Sequence, residues 1–254
     1  MLAIRSALFN AAFYLNLIAL MILGLPLCLF GRPGVFFMEH LWTRTSLWLL
    51  EAICGLRVEF RGLENIPKTG CVVAAKHQSF LEGFAIASNF DDVAIIIKRA
   101  LMFIPIFGFY LVASRQIGID RSQGRRSLAQ IVAKAKAAIA EGRRILIFPE
   151  GTRRAPGAPP AYKFGVAGVV EGTGALCVPV AINTGLFWGR RGFLRHPGVA
   201  VIEYLPPIEG GMAAKAFLER LQSTIEEACG RLNEEAFARD PRLRARLRPD
   251  AAPE

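Results

Sequence analysis

Residues 124–153 read GRRSLAQIVAKAKAAIAEGRRILIFPEGTR, and the fold class can be inferred from them. A helix is predicted over 124–141, because apolar residues recur there at three- and four-residue steps along one face: Leu128, Ile131, Val132, Ala135 and Ile139. Gly142 ends that helix, and the short apolar run 145–148 is typical of a buried strand. A helix that leads directly into a buried strand and a polar loop predicts an α/β domain.

The same alternation continues on both sides of this stretch. Further short apolar runs predict strands at 57–61, 71–75, 93–97, 116–119, 175–182 and 199–204. A second long helix is predicted over 213–237. We therefore expect residues 57–238 to form an α/β domain with a mostly parallel central sheet and flanking helices.

The composition is apolar and basic at once. Of 254 residues, 53 % are hydrophobic and only 20 % are charged, yet the formal net charge is +10. So much apolar surface excludes a disordered chain, and the excess of positive charge favours an anionic partner. Nucleic acid is a poor candidate, because no aromatic residue accompanies the arginines near the C-terminus. An acidic lipid surface or a phosphate-bearing ligand remains.

The first 56 residues predict a membrane anchor of two helices. The run 6–30 contains only Asn10 and Asn16 as strongly polar groups, and 25 residues of helix reach roughly 37 Å. Gly24 and Pro26 could bend this run, so whether it spans or re-enters the bilayer stays open. A second amphipathic helix is expected over 35–56, with a buried core helix as the alternative. We expect the segment to be retained, because no signal-peptide cleavage site follows it.

Two other segments have ambiguous patterns. The apolar stretch 101–113 is too short to span a bilayer and is interrupted by Pro105 and Gly108. It suits either a surface that accepts acyl chains or a buried core element. The tail 239–254 carries arginine at every second position over 242–248, which matches no helix face, and is expected to be disordered and solvated.

His77 is the strongest candidate for a catalytic base, because it lies where a predicted strand turns into a helix. Glu82 follows five residues later, which on one continuous helix would separate the two side chains by about 140°. They can meet only if His77 lies in the turn before the helix. The carboxylate would then fix one imidazole nitrogen and leave the other free to take a proton. A purely structural hydrogen bond is the alternative.

A second cluster, Phe148-Pro149-Glu150-Gly151-Thr152-Arg153, follows the strand predicted at 145–148. Backbone and hydroxyl donors at a strand end, together with an arginine, suit a phosphate, although a solvated turn would look the same. Smaller motifs are Gly118-Ile119-Asp120-Arg121 and Val178-Pro179-Val180, whose proline indicates an edge strand or a bulge.

Other kinds of catalytic site lack support in the sequence. His77 has no second His or Cys at metal-ligand spacing, so no metal site is expected. Ser79 is not in a nucleophile-elbow motif. The five cysteines are widely spaced and odd in number, which favours reduced, buried thiols and the cytosolic side.

Taken together, the four motifs in this order and spacing resemble the lysophosphatidic acid acyltransferase family (1-acyl-glycerol-3-phosphate O-acyltransferases). Residues 77–82 resemble its His-x4-Asp block, 118–121 its second block, 148–153 its Phe-Pro-Glu-Gly-Thr-Arg block and 178–180 its proline-centred block. The resemblance covers about residues 57–207, and the match to the third block is complete. Glu82 departs from the family, which normally has Asp there.

The resemblance implies a reaction and a set of roles. Acyl-CoA or acyl carrier protein would be the donor and co-substrate, with no other cofactor, and a lysophospholipid would be the acceptor. His77, supported by Glu82, would deprotonate the acceptor hydroxyl, which attacks the thioester directly. Residues implied to bind or shape the pocket for the acceptor's phosphate are Arg121, Glu150, Gly151, Thr152, Arg153 and Lys163. Lys98 and Pro179 are assigned to the acyl and donor region.

The sequence therefore predicts a membrane-bound enzyme that makes phosphatidic acid, with its catalytic domain on the cytoplasmic face of the cell membrane. An acyltransferase for another lysolipid, such as a lyso-ornithine lipid, is one alternative. A non-catalytic protein that binds anionic lipid is the other. Glu82→Asp is expected to keep activity, whereas Glu82→Gln is expected to lose much of it.

Overall fold

A computed structural model of the chain describes residues 1–120 and 124–249, with only the backbone of residues 124 and 125. Its helices are α1 (Leu2–Leu23), α2 (Arg32–Leu49), α3 (Leu81–Ala87), α4 (Phe107–Ala113), α5 (Gly124–Ala140), α6 (Gly165–Thr173) and α7 (Ala214–Arg239). Its strands are β1 (Leu56–Arg61), β2 (Val72–Ala75), β3 (Val93–Lys98), β4 (Ile117–Ile119), β5 (Arg144–Ile147), β6 (Cys177–Ile182) and β7 (Gly198–Tyr204). Each of the seven predicted strands is present, with its bounds within two residues of the prediction.

The strands form one sheet in the order β1-β7-β6-β2-β5-β3-β4. Every neighbouring pair is parallel except β6 and β7, which are antiparallel, so β1 and β7 run opposite to the other five strands. The predicted α/β fold with a mostly parallel sheet is confirmed. Because β6, β2, β5, β3 and β4 are parallel, the loops that follow them leave the sheet at one edge.

The sheet is covered by helices on both faces because its side chains alternate between them. Val73 and Ala75 of β2 belong to a core that includes α1 and α3, whereas Val72 and Ala74 belong to a core that includes α5, α6 and α7. In α5 the residues predicted to share a face do so, and Ile131 and Ala135 are buried in the second core.

The N-terminal segment forms two helices, as predicted, with different bounds. Helix α1 ends at Leu23, and the following 3-10 segment Leu25–Phe30 begins with Pro26 in its first turn, because proline cannot continue the hydrogen-bond ladder of α1. Helix α2 continues as a π-helical turn, Leu50–Cys54, which ends at Gly55 in the left-handed conformation. By length and composition, α1 is the one helix in the described part of the chain that could cross a membrane.

Helix α1 is not separate from the α/β domain. Phe9 and Phe13 are buried, and both rings contact the ring of Trp188, a residue that lies between β6 and β7. Phe13 also contacts Phe80, which precedes α3, and Phe84 within it. One face of α1 is therefore part of the domain core.

Pro179 lies on an interior strand rather than on an edge strand, since β6 has β2 on one side and β7 on the other. Its carbonyl accepts a hydrogen bond from the Leu205 N–H, so the position of its missing N–H faces the β7 side. The register there changes by one residue between the Val180–Tyr204 pair and the Cys177–Ile208 bridge. Of the two interpretations of this proline, the edge strand is wrong and the bulge agrees with the structure.

The C-terminal segment differs from the predicted disordered tail. Residues Pro241–Arg246 form a 3-10 helix, and Leu243 is buried in the first core. The Arg248 N–H donates to the Pro156 carbonyl at 2.8 Å, and the Arg246 guanidinium contacts the His196 ring. The arginine alternation hid Leu243 and Leu247, whose apolar side chains hold the segment on the domain. Residues 250–254 lie outside the described residues.

Candidate active site

Three of the predicted motifs lie at the carboxyl ends of parallel strands, β2, β5 and β4, and so open on the same edge of the sheet. His77 follows β2, Phe148 begins the loop after β5, and Asp120 follows β4. Lys98, at the end of β3, pairs in register with Ile119 of β4, and its side chain is exposed. Arg121, predicted to bind phosphate, lies outside the described residues.

The turn between β2 and α3 brings His77 and Glu82 together. His77 lies before the helix begins at Leu81, as the angular argument requires, and its Nδ1 is 2.8 Å from Glu82 Oε1. The Glu82 side chain is fully buried, whereas the His77 side chain keeps 15 % of its surface exposed. Since a carboxylate oxygen accepts hydrogen bonds, Nδ1 carries the proton and Nε2 has a free lone pair.

The Glu82 carboxylate is held by three further donors. Oε1 also accepts from the backbone N–H groups of Gln78 and Ser79, at 2.7 and 2.6 Å. Oε2 accepts from the Thr184 hydroxyl at 2.7 Å. These four donors hold the carboxylate in place as the acceptor of the hydrogen bond from His77 Nδ1. The longer arm of glutamate, relative to the family's aspartate, is accommodated by these contacts.

The loops after β2 and β5 are joined at His77. Its ring is stacked on the Phe148 ring, with centroids 4.0 Å apart. Its carbonyl accepts from the Arg154 N–H at 2.8 Å. The first and third sequence motifs therefore form one structural unit.

The loop from Pro149 to Arg153 turns at Gly151, whose φ of 67° lies in the left-handed region that favours glycine. Beyond the turn, Thr152 and Arg153 are half-buried. The Arg153 guanidinium lies 5.3 Å from the centre of the Phe80 ring. Burial lowers the pKa of Arg153 below its ordinary value, and the Glu82 carboxylate opposes that change. The arginine remains a cation at neutral pH, close to the dyad.

Glu150 is turned away from this loop's surface and belongs to a buried ion cluster. Lys76 Nζ lies 3.0 Å from Glu150 Oε1 and 2.7 Å from Glu226 Oε1 on α7. The Tyr162 hydroxyl donates a hydrogen bond to Glu226 Oε1 at 2.8 Å. Burial alone would lower the pKa of Lys76, yet the two carboxylates together raise it above its ordinary value. Since the Glu150 carboxylate has no exposed surface, Glu150 shapes the loop from inside.

The remaining predicted residues lie at different distances from the dyad in the fold. The Lys163 side chain is exposed. Its backbone N–H donates to the Pro149 carbonyl at 3.0 Å, so the backbone at Lys163 lies against the start of the loop 149–153. Pro179 is buried within β6 and presents no surface to a ligand. No group of His, Cys, Asp or Glu side chains suited to hold a metal ion occurs among residues 1–120 and 124–249.

Several residues of the site were missed by sequence reasoning. Thr184 is 102 residues from Glu82, and Lys76 is 150 residues from Glu226. Gln78 Oε1 accepts from the Gly185 N–H at 3.1 Å, which adds a second link between the two loops. The available signal was topological: Thr184 follows a strand that ends at the same sheet edge as His77.

Comparison with known proteins identifies the family of the chain. A family model described as Acyltransferase matches residues 57–183. The 1-acyl-sn-glycerol-3-phosphate acyltransferase of Pseudomonas aeruginosa is 32 % identical over 206 residues, covering 80 % of this chain and 80 % of that protein. The chloroplastic 1-acyl-sn-glycerol-3-phosphate acyltransferase LPAT1 of Arabidopsis thaliana is 31 % identical over 78 % of this chain, which spans 56 % of that protein.

A solved structure shares the fold. The crystal structure of the 1-acyl-sn-glycerophosphate (LPA) acyltransferase PlsC from Thermotoga maritima matches with a TM-score of 0.76 at 22 % identity, over 92 % of this chain and 98 % of that chain. The matched family region contains His77, Glu82 and the loop 148–153. The chain therefore belongs to the acyltransferase family, and its relatives include 1-acyl-sn-glycerol-3-phosphate acyltransferases.

Proposed function

We propose that this protein transfers an acyl chain from an acyl thioester, acyl-CoA or acyl carrier protein, to the free hydroxyl of lysophosphatidic acid. The observation that carries the proposal is the bond between His77 Nδ1 and the buried Glu82 carboxylate, 2.8 Å long, at the sheet edge beside Arg153. The names of the relatives support lysophosphatidic acid as the acceptor.

In the proposed mechanism, His77 is the general base. Its Nε2 takes the proton of the acceptor hydroxyl while the hydroxyl oxygen attacks the thioester carbonyl carbon. The tetrahedral intermediate then collapses, the C–S bond breaks, and His77 returns the proton to the departing sulfur. Glu82 fixes the tautomer and stabilises the imidazolium that forms between the two proton transfers.

Arg153 is proposed to bind the acceptor's phosphate. Its guanidinium is a permanent cation that can hold a phosphate through two parallel hydrogen bonds. It lies on the loop that the His77 carbonyl anchors through Arg154, so phosphate binding there would place the acceptor's glycerol near the imidazole. We assign Thr152, Lys163 and Arg121 to the same phosphate site, and Lys98 to the donor side.

The decisive experiment measures acyl transfer by the full-length protein in detergent or vesicles. Labelled acyl-CoA and acyl carrier protein are offered separately with lysophosphatidic acid, lyso-ornithine lipid or monoacylglycerol. We expect phosphatidic acid as the main product, and loss of about 10²–10⁴-fold in kcat for His77→Gln. A protein that only binds lipid would give no diacyl product. Preference for an acceptor without phosphate would move the proposal to the lyso-ornithine alternative.

We also propose that the protein lies on the cytoplasmic face of the cell membrane, with α1, α2 and α4 against the lipid. These helices pack together around a small core, where the Tyr110 hydroxyl donates to the Met21 carbonyl at 2.8 Å. Their outer sides expose large apolar residues: Leu8, Leu15, Ile18, Ile22, Phe37, Trp48, Phe109 and Val112. Since Phe9 and Phe13 bind α1 to the domain, a surface position suits α1 better than a separate span. All five cysteines are free thiols, which supports the cytoplasmic side.

A vesicle-binding measurement tests this placement. Replacing Phe103 and Phe109 with Ser removes two exposed rings near the proposed lipid face and should weaken partitioning into anionic vesicles at least about tenfold. Leu176→Ser is the matched control, because Leu176 is an exposed apolar residue just before β6, at the opposite end of the sheet. Equal weakening by the two changes would contradict the placement.

A further inference from the structure

We propose that Thr184 is a positioning residue of the catalytic dyad, and that its hydroxyl orients the Glu82 carboxylate toward His77. This inference rests on the proposed function and goes beyond it, because Thr184 lies after the matched family region 57–183 and in none of the four sequence motifs. Thr184 begins the 3-10 segment that follows β6, at the sheet edge where His77 lies.

The contacts of Glu82 divide unequally between its two oxygens. Oε1 accepts from His77 Nδ1 and from the Gln78 and Ser79 N–H groups. Oε2 has one hydrogen-bond donor in the described part of the chain, the Thr184 hydroxyl at 2.7 Å. Both side chains are fully buried, so water does not replace that donor when it is removed.

This division explains why one hydroxyl can control the carboxylate plane. The terminal torsion of a glutamate side chain is broad and roughly two-fold, so the bonds to Oε1 alone allow the plane to turn about that oxygen. A bond on each oxygen removes this freedom. Without the hydroxyl, an ionised oxygen would be buried unpaired, and the carboxylate would rotate toward another donor. The Oε1 lone pair that faces His77 would then be misdirected.

Thr184 is itself held rigidly. Its carbonyl accepts from the N–H groups of Phe187 and Trp188, at 3.1 and 2.9 Å. The next residue, Gly185, donates to the Gln78 side chain at 3.1 Å. The loop after β6 is therefore tied to the turn after β2 at two adjacent points, and the donor to Oε2 is preorganised rather than recruited by the substrate.

The same geometry gives a reason for glutamate at position 82. An aspartate is shorter by one C–C bond, about 1.5 Å, so its carboxylate cannot keep the present contacts to both His77 and Thr184 unless the helix moves. We infer that Glu82 and Thr184 act as a pair, in which the longer acid reaches a donor in the loop that follows the neighbouring strand β6.

Kinetics of Thr184→Val and Thr184→Ser test the inference. Valine has nearly the shape of threonine but no hydroxyl, whereas serine keeps the hydroxyl. We expect Thr184→Val to lower kcat about tenfold with both KM values unchanged, and Thr184→Ser to stay within about twofold of the wild type. In a Glu82→Gln background, Thr184→Val should cost no further activity, because the carboxylate it orients is absent. Any of three results would overturn the inference. These are an unchanged kcat for Thr184→Val, an equal loss of kcat for Thr184→Val in the wild-type and Glu82→Gln backgrounds, or an equal loss of kcat for Thr184→Val and Thr184→Ser.

A spectroscopic measurement separates this inference from the proposed function. The proton on His77 Nδ1 is hydrogen-bonded to the buried Glu82 carboxylate. The proton NMR resonance of this group is identified as the one that disappears in His77→Gln. We expect the resonance to move in Thr184→Val and to stay in place in Thr184→Ser, with no substrate present. A resonance that stays in place in Thr184→Val would overturn the inference even if acyl transfer is found. If no lysolipid is acylated, the proposed function fails while this measurement still decides the role of Thr184.

Folding of the variants needs its own check, because Thr184 is buried. Thermal unfolding of each variant is measured beside the wild type, and Thr184→Ala replaces the valine variant if the latter does not fold. The alanine variant carries the same expectations for kcat and for the resonance.

Discussion

The imidazole of His77 lies flat on the ring of Phe148, with ring centroids 4.0 Å apart and planes inclined by 22°. The two residues follow adjacent parallel strands, β2 and β5, so the stack is a consequence of strand order. It confines the imidazole to the plane in which Nδ1 meets Glu82. Phe148, the first residue of the Phe-Pro-Glu-Gly-Thr-Arg motif, therefore has a role of its own beside the roles of the polar residues that follow it.

Phe148→Leu should lower kcat by roughly 2- to 12-fold, because stacking of two rings is worth about 0.5–1.5 kcal/mol beyond the area that it buries. The KM for the acceptor should change little, and Phe148→Tyr should restore most of the rate. Steady-state kinetics with lysophosphatidic acid measure this effect. Phe90→Leu is the control, since the Phe90 ring packs against Tyr204 rather than against His77. Equal effects of the two leucine variants on kcat would contradict a specific role for the stack.

Substitutions of Glu82 separate the effect of the carboxylate's charge from the effect of the side chain's length. The buried contacts revise the expectation drawn from the sequence, in which aspartate keeps activity. Glu82→Asp should lose about tenfold in kcat because it cannot reach both His77 and Thr184, and Glu82→Gln should lose more because the imidazolium loses its counter-charge. Rates measured at saturating acceptor decide the order. Full activity of Glu82→Asp would show that the turn adjusts to the shorter acid.

Removal of the Arg153 cation should raise the KM for lysophosphatidic acid far more than it lowers kcat. Arg153→Ala loses both the charge and the bidentate geometry, and Arg153→Lys keeps only the charge, so we expect the order wild type, lysine, alanine in acceptor affinity. An acceptor without phosphate should be used equally by all three. If the KM for lysophosphatidic acid does not change in Arg153→Ala, the phosphate lies elsewhere.

Lys76→Met should destabilise the fold, because it removes the ammonium shared by Glu150 and Glu226 and leaves the buried Glu150 carboxylate with only the longer contact to Arg154, 3.6 Å. Breaking a buried pair costs about 3–5 kcal/mol, which in a domain of this size lowers Tm by roughly 6–20 °C. Lys76→Met/Glu150→Gln should recover part of that loss. The matched control is Lys215→Met, which breaks an exposed pair with Glu219 and should change Tm little. Thermal unfolding in detergent measures all three, and a wild-type Tm for Lys76→Met would contradict the importance of the cluster.

Acid stability depends in part on Arg61, which joins β1 to α7. Its Nε donates to Glu59 at 2.6 Å and its Nη1 to Glu235 at 2.8 Å, and these bonds lower the pKa of both carboxyls below their ordinary 4.5. A carboxyl with a lowered pKa stabilises the folded state above about pH 4.5 and loses that contribution as the pH falls through its folded value. Arg61→Gln should therefore flatten the dependence of Tm on pH below about pH 5, whereas exposed Arg220→Gln should not. Parallel curves for Arg61→Gln and the wild type would contradict this assignment.

The elements of this fold could be predicted from the sequence because their signals are local. Each strand is a short apolar run, and α5 has one apolar face, so neighbours along the chain suffice to find them. The His77–Glu82 contact was also accessible, since five residues and a turn define its geometry.

The order of the strands and the long-range contacts were not accessible in this way. Thr184 and Glu226 reach the site only because β6 and β5 flank β2 and α7 packs beside them. The 3-10 helix Pro241–Arg246 was missed for a related reason. Its arginines dominate the sequence pattern, while Leu243 packs into a core formed by distant residues.

The contact between Phe13 and Trp188 has a consequence for the order of synthesis. Helix α1 is translated first, but the ring that covers its inner side is translated about 175 residues later. Phe80 and Phe84, which also contact Phe13, are translated about 70 residues after it, so at about 5–20 residues per second the inner side of α1 is fully covered only after roughly 10–35 s. A helix with apolar residues on both sides is exposed to aggregation during that interval unless it can rest in lipid. In the proposed membrane placement, lipid would cover α1 of the nascent chain before it supplies the acceptor to the folded enzyme.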